Sequence, residues 1–260
     1  MRKKLGLSLG AGSTKGFAHI GVLQVLIENN IPVDMVAGCS MGAIIGAIFA
    51  AGSDMYMLEK YALSMNMREH LDIGNPLNNG GLIRGVRLEE LIRIFTHDMS
   101  YGETPIPFYC VAVDIGAGEL HVFDEGKIHS AVRASMSIPG IFMPVALNGR
   151  VYVDGGVIDR IPSKVLRERG ADVVIGVDVG YRGGDFDVDG ANAYLLLNHS
   201  VDVMQWEITK LRGNEEDLLL VPEVLFVKGH FQMDRAKDVI NEGRRVATEA
   251  LPKIRELLEL

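Results

Sequence analysis

The chain has 260 residues, of which 48% are hydrophobic and 23% charged, the profile of an ordinary globular protein with length enough for a sizeable core. Lys plus Arg number 26 against 34 Asp plus Glu, so the net charge is −8; this argues against a nucleic-acid partner, because phosphate binding needs a basic face. The two cysteines, Cys39 and Cys110, are too few for a disulfide framework and point to a reducing, cytoplasmic setting.

The segment Met1-Arg2-Lys3-Lys4 is basic and leads into the apolar run Leu5 to Leu9, the outline of a secretory signal. The run is short and ends in a glycine loop, so a buried first strand fits better. A helix is expected over Gly16 to Glu28, with Phe17, Ile20, Val22, Leu23 and Leu26 turned inward, then a strand over Val33 to Cys39. Met41 to Ala51, rich in Gly and Ala, reads as a buried helix and falls short of the ~20 residues that cross a bilayer. Helices are expected over Met55 to Met67 and Leu88 to Thr96. Pro107 to Val113 and Glu119 to Phe123 read as paired strands across Gly116-Ala117-Gly118, followed by a helix over Lys127 to Ser135. Asn148-Gly149, between Val145 to Leu147 and Val151 to Val153, is a hairpin signal. Next come a helix over Ser163 to Glu168, a buried strand over Asp172 to Val179 and a long helix over Ala191 to Leu211. A short strand over Leu218 to Val221 precedes an amphipathic helix over Asp234 to Leu260, interrupted or bent near Pro252. Repeated strand–helix units predict an α/β fold in one domain, 1–260, with a mainly parallel central sheet and helices on both faces.

Gly38-Cys39-Ser40-Met41-Gly42 is a G-x-S-x-G placed between a predicted strand and a predicted helix. A serine on such a turn is thrust out of the sheet, the glycines allow a crowded backbone, and the amide end of the helix favours an alkoxide. The alternative is a small-residue turn that packs helix on sheet; the strand-turn-helix context favours the nucleophile. Cys39 reads as a buried small hydrophobe. Gly10-Ala11-Gly12-Ser13-Thr14-Lys15-Gly16, after the first strand, exposes successive N–H groups able to cradle an anion. It is one residue longer than the dinucleotide fingerprint, no acid ends the second strand, and a Walker A loop needs Gly-Lys before Ser or Thr. An oxyanion hole for Ser40 leads, ahead of a plain tight turn.

Among the histidines, His230 in Lys228-Gly229-His230-Phe231 suits a Ser-acid-His order, whereas His199 falls within a helix and His19 reads as structural. Asp154, in Val151-Tyr152-Val153-Asp154-Gly155-Gly156, ends a hairpin strand before two glycines; the residues alone allow a base or a turn aspartate equally. Asp185 to Gly190 imitates the first half of a calcium loop. Its twelfth position is Leu196 where Glu is required, so a solvated acidic loop is expected.

The glycine loop with Lys15, the Ser40 elbow, the segment Ser135-Met136-Ser137-Ile138-Pro139-Gly140-Ile141-Phe142-Met143-Pro144 and Asp154-Gly155-Gly156 occur in one order between residues 10 and 156. This order resembles the patatin-like phospholipase family, in its bacterial branch related to the neuropathy target esterases. The resemblance implies a three-layer α/β fold and a Ser-Asp dyad, with Ser40 as nucleophile and Asp154 as base, and no catalytic histidine, cofactor or metal. It implies that Gly10, Ala11 and Gly12 supply oxyanion-hole amides, that Lys15 stands where the family has Arg or Lys, and that Gly38, Gly42, Gly155 and Gly156 support the two turns. Ala11 replaces the commoner glycine; it keeps its N–H but resists positive φ. The implied activity is hydrolysis of a lipid or other acyl ester through an acyl-enzyme, in the cytoplasm or transiently at a membrane. The alternatives are a Ser-His-Asp esterase using His230 and a non-catalytic module binding a nucleotide or phosphate. The run Ile138 to Val145 suits an acyl site or a packed β-loop equally.

Overall fold

Leu5–Leu9 (β1) is buried along its whole length, as a strand with almost no polar residues must be, and it takes a central place in the sheet. The computed structural model describes residues 2–66, 69, 71–73, 80–184, 190, 192–213, 215–227, 229 and 231–260. After β1 a 3-10 turn over Ser13–Phe17 feeds Ala18–Glu28 (α1), so the first helix begins more tightly wound than its apolar period predicts. Met35–Gly38 (β2), Met41–Ala50 (α2) and Met55–Ser64 (α3) follow. Asp54 caps α3 by accepting from the amides of Tyr56 and Met57. Then come Gly81–Ile83 (β3), Val86–Phe95 (α4), Phe108–Asp114 (β4), Glu119–Phe123 (β5) and Ile128–Ser135 (α5). Gly140–Phe142 (β6), Val145–Leu147 (β7) and Arg150–Asp154 (β8) lead to Ser163–Glu168 (α6), Val173–Val177 (β9), Ala193–Arg212 (α7), Leu218–Leu220 (β10) and Ala236–Leu258 (α8).

The main sheet runs β10-β9-β1-β2-β4-β8-β7, parallel from β10 to β4, with β5 also antiparallel to β4. Cys110 of β4 pairs with Gly38 of β2 and with Phe123 of β5, so those two strands lie on opposite edges of β4. Asp114 likewise pairs with both Glu119 of β5 and Tyr152 of β8. Therefore β2 and β8 share one edge of β4, and they run toward each other: β2 ends opposite Cys110, and β8 ends with Asp154 opposite Ala112. Two chain segments far apart in sequence are thus aimed tip to tip.

Each face of the sheet carries a core. The larger lies under α1, α2, α5 and α8, and the smaller joins α6 to Met35, Ala37, Val111 and Val174 on the other face. This is the expected α/β class with a mainly parallel sheet and helices on both sides. The separate parallel pair β3–β6, three residues each, was not expected, and α8 runs unbroken through Pro252. Its buried stripe of Ile240, Ala247, Ile254 and Leu258 holds it on the core despite the missing donor.

Candidate active site

The register sets Leu9 of β1 level with both Gly38 of β2 and Val177 of β9, so the loops that follow all emerge at the carboxyl edge of the sheet. Ser40 sits at the turn after β2 with φ 53° and ψ −120°, a conformation uncommon for a residue with a side chain. The flanking glycines are needed for space. A Cβ at Gly42 would stand 2.0 Å from the Leu9 carbonyl oxygen, and one at Gly38 2.5 Å from that of Gly42. The Ser40 amide donates to Ser135 Oγ at 3.0 Å, and the amide of Asp154 donates to the Ser137 carbonyl at 2.9 Å. One short segment at the end of α5 therefore pins both residues.

Asp154 is 4% exposed. Its Oδ1 accepts from the Gly156 amide at 2.8 Å and from the Cys39 thiol at 3.7 Å, so Cys39 is more than core filling. Burial pushes the carboxyl up to about 6, while the Ser40 hydroxyl, the Gly156 amide and the Cys39 thiol pull the other way. Oδ2 is buried and accepts no well-formed hydrogen bond among the described residues, although the Ser40 hydroxyl is close enough to act on the carboxyl. Such contacts commonly tighten only when substrate is bound. Burial holds the Cys39 thiol protonated by raising its pKa well above the usual range. Close packing fixes the turn after Asp154 as well, since a Cβ at Gly155 would stand 2.4 Å from the Val111 carbonyl oxygen.

The glycine loop needs a correction. The Gly10 amide donates to the Val177 carbonyl at 3.0 Å and the Ala11 amide to that of Arg160 at 2.9 Å, so two of the three expected oxyanion amides are occupied by the sheet and the neighbouring loop. The Gly12 amide and the Met41 amide, which opens α2, make no hydrogen bond to another described residue. Lys15 lies on the same cleft as Ser40 and Asp154. His19 is fully buried, and its Nε2–H donates to the Gly10 carbonyl at 2.8 Å. Burial lowers its pKa to about 4, so the ring is neutral and ties down the loop. His230 and the acidic stretch 185–189 lie outside the described residues. Among the described residues no group of three or more His, Cys, Asp or Glu could hold a metal ion.

Two cavities meet at Ser40. One carries the polar groups of Asp154, Lys15, Tyr181 and the α7 residues Asn198, Asp202 and Gln205 beside the apolar Ile138, Pro139 and Val201. The other is apolar and runs along α2 past Ile44 and Ile48, between α3 and α4. Ile138 and Phe142 line it, whereas Ile141 of the same run is buried in the core, so that run contributes to both the cavity wall and the core. Sequence reading singled out neither Ser135 nor Ser137 individually; their place in an ordered motif was the available signal.

A strained serine on a strand-turn-helix elbow, beside a buried carboxyl at the carboxyl edge of a parallel sheet, places the chain among α/β proteins. The sequence pattern of the patatin-like phospholipase family matches residues 7–167, and the chain belongs to that family. An uncharacterized NTE family protein of Mycobacterium tuberculosis is 34% identical over 177 residues, 68% of this chain and 49% of that protein. Mouse patatin-like phospholipase domain-containing protein 7 is 33% identical over 186 residues, 68% of this chain and 14% of that protein. The chain thus spans about half the length of its mycobacterial relatives. In fold it resembles VipD from Legionella pneumophila, with a TM-score of 0.55 and 16% identity over 97% of this chain and 67% of VipD. It also resembles the type III effector ExoU of Pseudomonas aeruginosa, with a TM-score of 0.51 and 14% identity over 97% of this chain and 53% of that one.

Proposed function

We propose that the chain is a serine acyl hydrolase acting on lipid or related acyl esters. The observation that carries this reading is the buried Asp154 carboxyl, pushed up to about 6, facing Ser40 where the apolar and polar cavities join. Asp154 takes the Ser40 proton as Oγ attacks the ester carbonyl, and the Gly12 and Met41 amides receive the oxyanion. Such a donor is worth about 2.7–4 kcal/mol of barrier in a comparable hydrolase. The proton passes to the departing alcohol, leaving an acyl-enzyme whose chain lies along α2. Water deprotonated by the same carboxylate then releases the acid and restores Ser40. Gly10 and Ala11 act by shaping the loop, and Lys15 by its charge at the polar side.

A pKa near 6 suits a base working at neutral pH, since the group is ionised yet still basic. The competing Ser-His-Asp reading rests on His230. Hydrolysis of a short-chain nitrophenyl ester separates the two, with circular dichroism to establish folding. Ser40→Ala and Asp154→Asn are expected to abolish turnover, and His230→Ala to keep most of it. A folded Asp154→Asn with near-normal rate, or a folded but inactive His230→Ala, contradicts the dyad.

A further inference from the structure

Helix α7 is built inside out. Asn198, Val201, Asp202 and Gln205 lie on one helical face and line the polar cleft beside Ser40 and Asp154. The helix is held by polar and ring contacts from that face and from its flank. Gln205 packs beside Gly156, His199 meets the Tyr181 ring at 4.9 Å, and the Arg160 and Arg182 guanidinium groups lie 5.1 and 4.7 Å from the Trp206 ring. No described residue of the helix is buried. The opposite face carries Leu196, Leu197, Val203, Met204 and Leu211, exposed by 48%, 65%, 38%, 55% and 84%. Leu197, Met204 and Leu211 recur at a constant spacing with Leu196 and Val203 beside them, so they form a stripe. Glu207, on the same side, is paired with Lys210. A surface helix ordinarily turns its apolar stripe to the core and its polar side to water. Here the polar side faces the cleft and the apolar side faces out.

We propose that this stripe docks on a lipid surface, lying flat in the headgroup region with the cleft at its inner edge. The choice of lipid rests on the hydrolase reading, because a docked α7 brings the cleft to the place where acyl esters are stored. The stripe itself argues against a second copy of the chain as occupant. It covers residues 196–211, short of the roughly three to four heptads that sustain a coiled coil. A chain of net charge −8 gains little from an acidic surface, so adhesion is apolar and resists salt.

The test uses the full chain and phosphatidylcholine vesicles, comparing wild type with a triple variant carrying Leu197→Asp, Met204→Asp and Leu211→Asp. These side chains touch neither Ser40 nor Asp154. Co-sedimentation of the variant should fall at least tenfold and its rate on a vesicle-borne ester should fall in step, while kcat/KM on a water-soluble short-chain ester stays within twofold. Wild type that does not sediment with vesicles overturns the proposal, and so does a variant that partitions like wild type. A dimeric wild type made monomeric by the substitutions, with equal vesicle binding in both, overturns it in favour of a second copy. If neither protein hydrolyses any ester yet partitioning falls tenfold, the docking surface stands and the hydrolase reading falls.

Discussion

Asp154 holds a charge at neutral pH in a place with almost no water, and that tension has two measurable consequences. A base must be ionised, so kcat/KM for a neutral ester should rise through about pH 6 and level off above it. Asp159 is also pushed up to about 6 by burial, with Arg212 pulling it down, so it is the necessary control. Asp159→Asn should keep the limb near pH 6; its disappearance in that variant assigns the limb to the wrong residue. The second consequence concerns stability. The folded-state pKa lies above the ordinary 3.8, so Asp154's stabilising contribution is fully present below the unfolded value and is lost as pH rises through about 6. Asparagine never ionises. Asp154→Asn should therefore be more stable than wild type at pH 8, by up to roughly 3 kcal/mol, with the gain absent at pH 4. Thermal unfolding at both pH values reads this directly, and a variant less stable than wild type at pH 8 contradicts it. At His19 the expected effect has the opposite sign. His19→Phe strands the buried Gly10 carbonyl at a cost of about 1–3 kcal/mol, lowering both Tm and kcat.

Helix α2 sets direction as well as charge. It leaves Ser40 and runs along the apolar cavity, and Ile48 is the last of its residues to face that space. Eight residues at about 1.5 Å each place Ile48 about 12 Å along the axis, room for a straight chain of roughly eight to ten carbons at about 1.25 Å per carbon. The Tyr61 and Phe95 rings, 5.3 Å apart, stand at the same end, where Ser53 Oγ donates to the Phe95 carbonyl at 2.7 Å. Ile48→Phe should shift the preferred nitrophenyl ester toward shorter chains, and an unchanged profile across a chain-length series contradicts this use of the cavity. Individual elements were legible because local chemistry decides them. Asn148 and Gly149 take φ of 51° and 76°, as a tight hairpin requires, and the run at β9 has no polar face to offer water. That a long helix fills the place of α7 was legible too. Which of its sides faces the protein was not, because that depends on polar partners such as Tyr181 and Arg182, which come from the loop after β9.

Across the whole molecule, the site exists because β2 and β8 end on one edge of β4. The residues Ser40 and Asp154 could be singled out in the sequence, but their meeting was implied only by the family resemblance, because it is fixed by register over more than a hundred intervening residues. The same holds for the loop amides. Whether Gly10 and Ala11 are available depends on the carbonyls of Val177 and Arg160, and no local pattern announces those. Long-range packing also explains glycines that motif reading left aside. A Cβ at Gly21 of α1 would stand 2.0 Å from the Ile240 carbonyl oxygen, and one at Gly243 of α8 2.0 Å from that of Ala18, so these helices cross in direct backbone contact. Gly243→Val should cost at least about 1–3 kcal/mol, seen as a lower urea midpoint, and a neutral substitution would mean that the crossing is looser than described.

The central claim is that Ser40 is an activated nucleophile, and reaction with a fluorophosphonate probe tests it most directly. Wild type should gain one phosphonyl adduct, located at Ser40 by peptide mass spectrometry, at a rate that climbs through about pH 6 with ionisation of Asp154. Ser40→Ala should remain unlabelled, and Asp154→Asn should label far more slowly. A folded wild-type protein that takes up no probe, or one labelled at another residue with Ser40 untouched, contradicts the account.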